Sequence, residues 1–137
     1  MFLLSITTSV NLQAQTAAEG KDLFFQKKYS AAAKTLQQAV NQDKSDTVAL
    51  FYLGRSLLAL EQYDEAIEPF KQLVRLHPDN ASFNYWCGVA YRYKLTSTNN
   101  PLEQGILASK TKQYFQQAVE LDPTNVDAKI SLANYYI

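Results

Sequence analysis

The chain has little of the chemistry that would identify an enzyme, a nucleic-acid-binding protein or a membrane protein. A single cysteine, Cys87, excludes an internal disulfide framework. Thirteen basic and thirteen acidic residues cancel, and no basic block is present, so the charge pattern of a nucleic-acid-binding protein is missing. No apolar run approaches the roughly 20 residues that a membrane-spanning helix needs. We therefore predict no nucleic-acid partner and no transmembrane span.

Sequence motifs for catalysis and for metal or cofactor binding are also missing. There is no GxxxxGK[ST] loop, no GxSxG, no HExxH and no CxxC. The one histidine, His77, precedes Pro78 at a predicted helix end, where a cation is favourable, and spacing pairs no second base or nucleophile with it. Cys87 falls at a predicted interior position, where burial would raise its pKa and make it unreactive. We predict a chain that is not an enzyme, with no catalytic residue, no metal site and no cofactor.

Three of the four glycines are evenly spaced, at positions 20, 54 and 88. Glycine costs about 1 kcal/mol relative to alanine inside a helix. A glycine repeated at a fixed period in helical sequence therefore indicates places where two helices approach closely. The period, about 34 residues, is the length of one helix–turn–helix unit in a class of helical repeat proteins, whose hairpins must stack to bury their apolar faces.

Other positions repeat with the same period and then shift together by a constant offset. Phe70 has its counterpart not at position 104 but at Phe115, and Pro78 has its counterpart not at position 112 but at Pro123. One insertion of about 11 residues into the repeat, near 94–106, explains both shifts.

The insertion carries its own structural signals. Lys94–Asn100 is rich in threonine, serine and asparagine, which predicts a loop. Asn100 before Pro101 is typical of a helix start, and the apolar spacing that follows predicts a long helix over Pro101–Leu121, which Gly105 could bend. The insertion is either a variable loop without consequence or a contact surface particular to this chain.

These repeated positions make the sequence similar to the tetratricopeptide repeat family. Tyr63–Ile67 (YDEAI) and Glu120–Pro123 (ELDP) match the family's pattern nearly letter for letter. The resemblance implies an all-α fold, a right-handed α-solenoid of hairpins, in which Gly20 would face Ala32 across its hairpin. The predicted solenoid covers 16–137, with repeat 1 at about 13–46, repeat 2 at 47–80, repeat 3 at 81–125 and a partial repeat 4 at 126–137.

The resemblance also implies which residues line the concave face, formed by the first helices of successive repeats. Aromatic residues outside the core positions fall there, and tyrosine, tryptophan and arginine are enriched at binding hot spots. We predict a non-enzymatic scaffold or adaptor that binds a peptide or protein partner on this face; alternatively, the rings pack against neighbouring helices. The predicted partner-binding residues are Lys21, Phe24, Phe51, Tyr52, Arg55, Tyr85, Trp86, Val89, Arg92, Tyr93 and Asn134.

Some members of the family bind a C-terminal carboxylate through lysine, asparagine and arginine at five fixed positions, and this clamp is absent here. Arg55 and Arg92 remain as possible anchors for an acidic group. An aromatic face with a few basic points suits an extended peptide with apolar side chains, and suits stacked glycans less well. The five clamp positions hold Ala17, Lys21, Tyr52, Ser82 and Trp86.

The N-terminal segment Met1–Gln15 carries a separate prediction. It has no charge and a short apolar stretch, and it resembles the end of a bacterial secretory signal, although it lacks a basic start. As a signal it predicts a periplasmic or secreted protein. The alternative is a segment that caps the first hairpin of a cytoplasmic protein.

The C-terminal end of the sequence is apolar where a solenoid needs a polar capping helix. We predict one of two explanations. Either the chain is the N-terminal targeting or assembly module of a longer enzyme or envelope machine, or it self-associates through Leu132, Tyr136 and Ile137.

Overall fold

The computed structural model describes residues 16–135, and all regular secondary structure within that range is α-helical. This confirms the predicted all-α fold. The predicted signal segment, 1–15, and two residues of the predicted self-association surface, Tyr136 and Ile137, lie outside the described range. The helices are α1 (16–25), α2 (Tyr29–Gln42), α3 (Thr47–Ala59), α4 (Tyr63–Leu76), α5 (Ala81–Ser97), α6 (Pro101–Leu121) and α7 (Val126–Tyr135).

The described chain forms two compact units, the first ending at Gln62 and the second beginning at Tyr63. Unit 1 contains α1, α2 and α3, and unit 2 contains α4, α5, α6 and α7. Across residues 16–135, none of these helices combines the length and apolar character that crossing a membrane requires.

In unit 1, the core is formed by residues that recur at three- and four-residue steps along each helix, as an amphipathic helix requires. Ala32, Leu36 and Ala39 of α2 are fully buried, and α2 packs against α3. Helix α3 begins after Asp46, whose side chain accepts a hydrogen bond from the Ala49 N–H and so satisfies one free donor of the first turn.

The turns that follow α1 and α3 have the same backbone geometry. Lys27 and Glu61 adopt φ values of 61° and 59°, in the left-handed region. In each turn, the next residue donates its N–H to the carbonyl five residues earlier, which closes the helix end. The sequence marks neither turn with the glycine that usually occupies such a position.

The close approach predicted at Gly20 is made first of all with Leu36, and not with the predicted neighbour Ala32 as the nearest residue. The atoms nearest to a Cβ built on Gly20 belong to Leu36, one turn further along α2. Gly88 repeats this arrangement, since the nearest atoms are those of the Phe115 ring. Helical side chains lean toward the N-terminus of their own helix. A large residue such as Leu36 therefore extends over the residue four positions earlier, here Ala32.

In unit 2, α5 packs against both α4 and α6, and α7 packs against α6. Phe70, Cys87 and Phe115 are fully buried. Asn84 is also buried, and its side-chain amide donates hydrogen bonds to the carbonyls of Pro78 and Asn80. This polar group therefore holds the start of α5 against the preceding turn.

The insertion lengthens two helices and leaves the connecting turn short. Helix α5 is four residues longer than α3, α6 is seven residues longer than α4, and three residues separate the helices in each case. The predicted helix over Pro101–Leu121 is confirmed. The predicted loop over Lys94–Asn100 is wrong in its first part, because α5 continues to Ser97.

The hydroxyl groups of the last turn explain why α5 continues. Thr96 and Ser97 donate hydrogen bonds to the carbonyls of Tyr93 and Lys94, three residues earlier, so these polar side chains satisfy helix-end acceptors. The Lys94 ammonium also lies 3.0 Å from the Asp64 carboxylate and 3.7 Å from that of Glu103. These contacts tie the end of α5 to α4 and α6.

Candidate partner-binding site

The five predicted partner-binding residues of unit 1 contact one another. The Arg55 guanidinium lies 4.8 Å from the centre of the Phe24 ring and 5.5 Å from that of Phe51. The Lys21 ammonium lies 5.4 Å from the centre of the Tyr52 ring, which in turn contacts both phenylalanines. Both cations are therefore engaged by aromatic faces within the unit.

Phe25 also belongs to this aromatic cluster. The repeat register places it on the concave face, although it is not one of the predicted partner-binding residues. Its ring centre lies 5.4 Å from that of Phe24 and 5.6 Å from that of Tyr52, and 61% of the residue is exposed. That register position, next to Phe24 at the end of α1, is the sequence signal for it.

In unit 2, four of the predicted residues line one cavity. Tyr85, Val89, Arg92 and Tyr93 border a volume of about 220 Å³ together with Thr96, which the prediction did not include. These residues recur at three- and four-residue steps on α5 and so share one face of the helix. Thr96 could not be assigned from the repeat register because it lies within the insertion.

A second cavity, of about 190 Å³, lies among α5, α6 and α7. Arg92 and Thr96 border this cavity too, so the two cavities adjoin at these residues. Of the α7 residues that line it, Asn134 is a predicted partner-binding residue, and Ser131 is a position that the repeat register also places on the concave face. The remaining lining residues are Leu95, Thr111, Phe115 and Tyr135.

Arg92 differs from Arg55 in its surroundings. It is exposed, and no ion pair, hydrogen bond or ring contact involves it among residues 16–135. No aspartate or glutamate lines either adjoining cavity. The site therefore presents a guanidinium without a neighbouring carboxylate.

The other aromatic residues predicted in unit 2 also contact rings of the unit. Trp86 stacks on the fully buried Phe70 with ring centres 6.2 Å apart, and the Tyr85 ring meets it edge-on at 5.7 Å. Tyr93 stacks on Tyr63 at 5.6 Å. Trp86 thus contributes to the packing of unit 2, whereas Tyr85 and Tyr93 combine ring packing with a position beside the first cavity.

Cys87 and His77 both lie beside aromatic residues of unit 2. Burial raises the pKa of the Cys87 thiol to about 12, and the Tyr114 hydroxyl is its hydrogen-bonding partner. Tyr114 itself stacks on Tyr91. The His77 ring lies 5.8 Å from that of Phe83. Over residues 16–135, no three histidine, cysteine, aspartate or glutamate side chains are placed to hold a metal ion.

A family model for the tetratricopeptide repeat matches this chain at residues 17–81 and 52–92. The protein STIP1 homolog of Dictyostelium discoideum is 31% identical to it over 114 residues, which cover 78% of this chain and 20% of that protein. The chain therefore spans about a fifth of the length of this relative.

Solved structures of tetratricopeptide repeat proteins superimpose on the chain. The tetratricopeptide repeat protein TTC0263 of Thermus thermophilus gives a TM-score of 0.77 at 19% identity, covering 90% of this chain and 64% of that one. The second such domain of human RPAP3, in complex with the HSP70 peptide SGPTIEEVD, gives 0.77 at 20% identity, covering 93% and 98%.

At identities of 19% and 20%, the structural similarity shows that this chain shares the fold of these proteins. The family match covers residues of both units, and it supports a protein-interaction scaffold as the class of function. The chain belongs to the tetratricopeptide repeat family.

Proposed function

We propose that this chain is a scaffold that binds an extended peptide segment of a partner protein on the exposed face of α5 and α7 in unit 2. The observation that carries the proposal is the pair of adjoining cavities beside Arg92, with tyrosine rings on one side and polar α7 side chains on the other. Peptide sites commonly combine apolar contact area with a few placed polar groups. The human RPAP3 domain in complex with a peptide lends the proposal support from a similar fold.

The proposed location is the periplasm or the cell exterior. It rests on the resemblance of Met1–Gln15 to a secretory signal. Expression of the full chain in a bacterium, followed by cell fractionation and mass measurement, tests it. Cleavage near Ala14 supports the proposal, and an uncleaved cytoplasmic protein contradicts it.

The alternative that the chain is a module of a longer enzyme or envelope machine stays a proposal of its own. The observation in its favour is apolar exposure on α7, where 64% of Val126 and 53% of Ile130 is accessible. Sequencing the gene beyond the codon for Ile137 tests it directly.

A library of random dodecapeptides displayed on phage tests the binding function. Peptides recovered on the purified chain are synthesised and titrated into ¹⁵N-labelled protein. We expect the largest amide shifts at Val89, Arg92, Thr96 and Asn134. Recovered peptides that shift only residues remote from both cavities would contradict the proposed site.

Arg92→Ala should weaken the binding of these peptides by roughly ten- to a hundredfold, since a hydrogen bond to a charged group contributes about 1.5–3 kcal/mol. Arg75→Ala is the matched control, because Arg75 is exposed, lies in unit 2 and lines neither cavity. Circular dichroism must show unchanged helicity for both variants. Trp86 is unsuitable for this test, because its truncation would also remove its stacking on Phe70.

A further inference from the structure

We infer that Arg92 recognises an acidic side chain inside the bound peptide, with the residues on either side of that acid lying in the two adjoining cavities. The inference rests on the proposed function and specifies its ligand. It assigns a charged anchor to α5, and it places one neighbouring residue of the peptide in each cavity.

The first support is electrostatic. Arg92 carries a charge that nothing within residues 16–135 pairs, and both cavities that it borders lack carboxylates. The Arg55 guanidinium, by contrast, lies over the rings of Phe24 and Phe51. Arginine binds a carboxylate or a phosphate through two parallel hydrogen bonds, and the carboxylate is the one of these two groups that an unmodified peptide carries.

The second support is the chemistry of the two cavities. On one side of Arg92, the cavity is lined by Tyr85, Val89, Tyr93 and Thr96, and more of its exposed surface is polar than apolar. On the other side, most of the exposed lining is apolar, and Ser131 and Asn134 add hydrogen-bonding groups that have no partner in the described part of the chain. An asparagine amide can both donate to and accept from a peptide backbone. The two sides therefore fit different neighbours of the acid.

The position of Arg92 between the cavities favours an internal acid over the carboxylate at a peptide's end. A terminal carboxylate bound to Arg92 would leave one of the two cavities unoccupied, whereas an aspartate or glutamate side chain lets the peptide continue in both directions. The site also differs from the carboxylate clamp of the family. The clamp positions hold Ala17, Lys21, Tyr52, Ser82 and Trp86, and Arg92 is not among them.

Octapeptide libraries with both ends blocked by acetyl and amide groups test the inference. Each library fixes one position as glutamate or as its neutral isostere glutamine and randomises the others. When the fixed position is a central one, we expect the wild-type chain to bind the glutamate library at least about tenfold more tightly than the glutamine library. Arg92→Gln should remove this difference and leave measurable binding of both libraries, because the other residues that line the two cavities are unchanged.

Arg75→Gln is the control, since it removes the same charge from unit 2 at a position outside both cavities. It should keep the preference for glutamate. Equal binding of the glutamate and glutamine libraries by the wild type would overturn the inference, and so would a preference that persists in Arg92→Gln. Tighter binding of acid-free peptides with an unblocked C-terminus would overturn the internal position of the acid.

Failure of the inference and failure of the proposed function give different results. If blocked peptides bind the α5 and α7 face without any preference for glutamate, the proposed scaffold function stands and the recognition of an acid by Arg92 is contradicted. If no peptide of either library binds the wild type, the proposed function fails together with the inference.

Discussion

Gly88 lies against the ring of Phe115, so that a Cβ atom at position 88 would come within 2.7 Å of two ring carbons. Phe115 is fully buried and cannot move aside freely. Gly88→Ala should therefore lower the free energy of unfolding by roughly 1–3 kcal/mol, despite the better helix propensity of alanine. Urea unfolding followed by Trp86 fluorescence measures this.

The double variant Gly88→Ala with Phe115→Leu provides the control for that prediction. A smaller side chain at position 115 should make the alanine less costly, so the two changes should be non-additive. Equal stability of Gly88→Ala and the wild type would contradict the close approach.

Gly105→Ala should have the opposite effect. Gly105 lies inside α6, and a Cβ there would meet no atom within 4 Å. Alanine is favoured over glycine by about 0.8–1.0 kcal/mol in a helix interior, so the free energy of unfolding should rise by about that amount. A decrease in urea unfolding experiments would show that the glycine serves a contact that the alanine disrupts.

Asn100→Ala should weaken the start of α6. The Asn100 side-chain oxygen accepts hydrogen bonds from the N–H groups of Leu102 and Glu103. Losing such a cap typically costs about 1 kcal/mol. Asn99→Ala is the matched control because Asn99 is exposed and precedes the cap. Hydrogen exchange should show faster exchange in the first turn of α6 for Asn100→Ala alone.

The buried thiol predicts how stability depends on pH. The pKa of Cys87 is raised by burial to about 12, whereas an unfolded thiol ionises near its ordinary value of 9.0. Between these values the unfolded chain releases a proton that the folded chain retains, so stability falls as the pH rises from about 9 to 12. Burial also raises the pKa values of Tyr91 and Tyr114, which adds to the same trend.

Cys87→Ala tests the thiol's share of this pH dependence. Urea unfolding at pH 8 and pH 10.5 should show a smaller loss of stability for the variant than for the wild type. At pH 8 the native thiol should also react slowly with iodoacetamide and quickly in urea. Rapid labelling of the native protein would contradict the burial of Cys87.

Much of the fold could be predicted because helical repeats encode their structure locally. The spacing of glycine and apolar residues predicts helix faces, and Asn100 with Pro101 predicted the start of α6 at the residue where the structure has it. The end of α5 could not be predicted in the same way. The threonine and serine that suggested a loop instead donate hydrogen bonds within the last helical turn.

Only part of the candidate site could be predicted from the sequence. The family register placed Tyr85, Val89, Arg92 and Tyr93 on one helix face, and the structure brings them to one cavity. Thr96 was missed because the insertion interrupts the register. The register also treated Arg55 and Arg92 alike, although one lies over two aromatic rings and the other borders two cavities.

The sequence by itself determined the helical repeat, its period and the place of the insertion, because these depend on residue spacing along one helix. Only the tertiary structure decided that the atoms nearest to Gly20 belong to Leu36, that Gly105 faces open space, and that Arg92 lacks a partner within residues 16–135. Such relationships depend on distances between side chains of different helices. A repeat pattern specifies which face a residue occupies, and packing between helices decides what that residue meets.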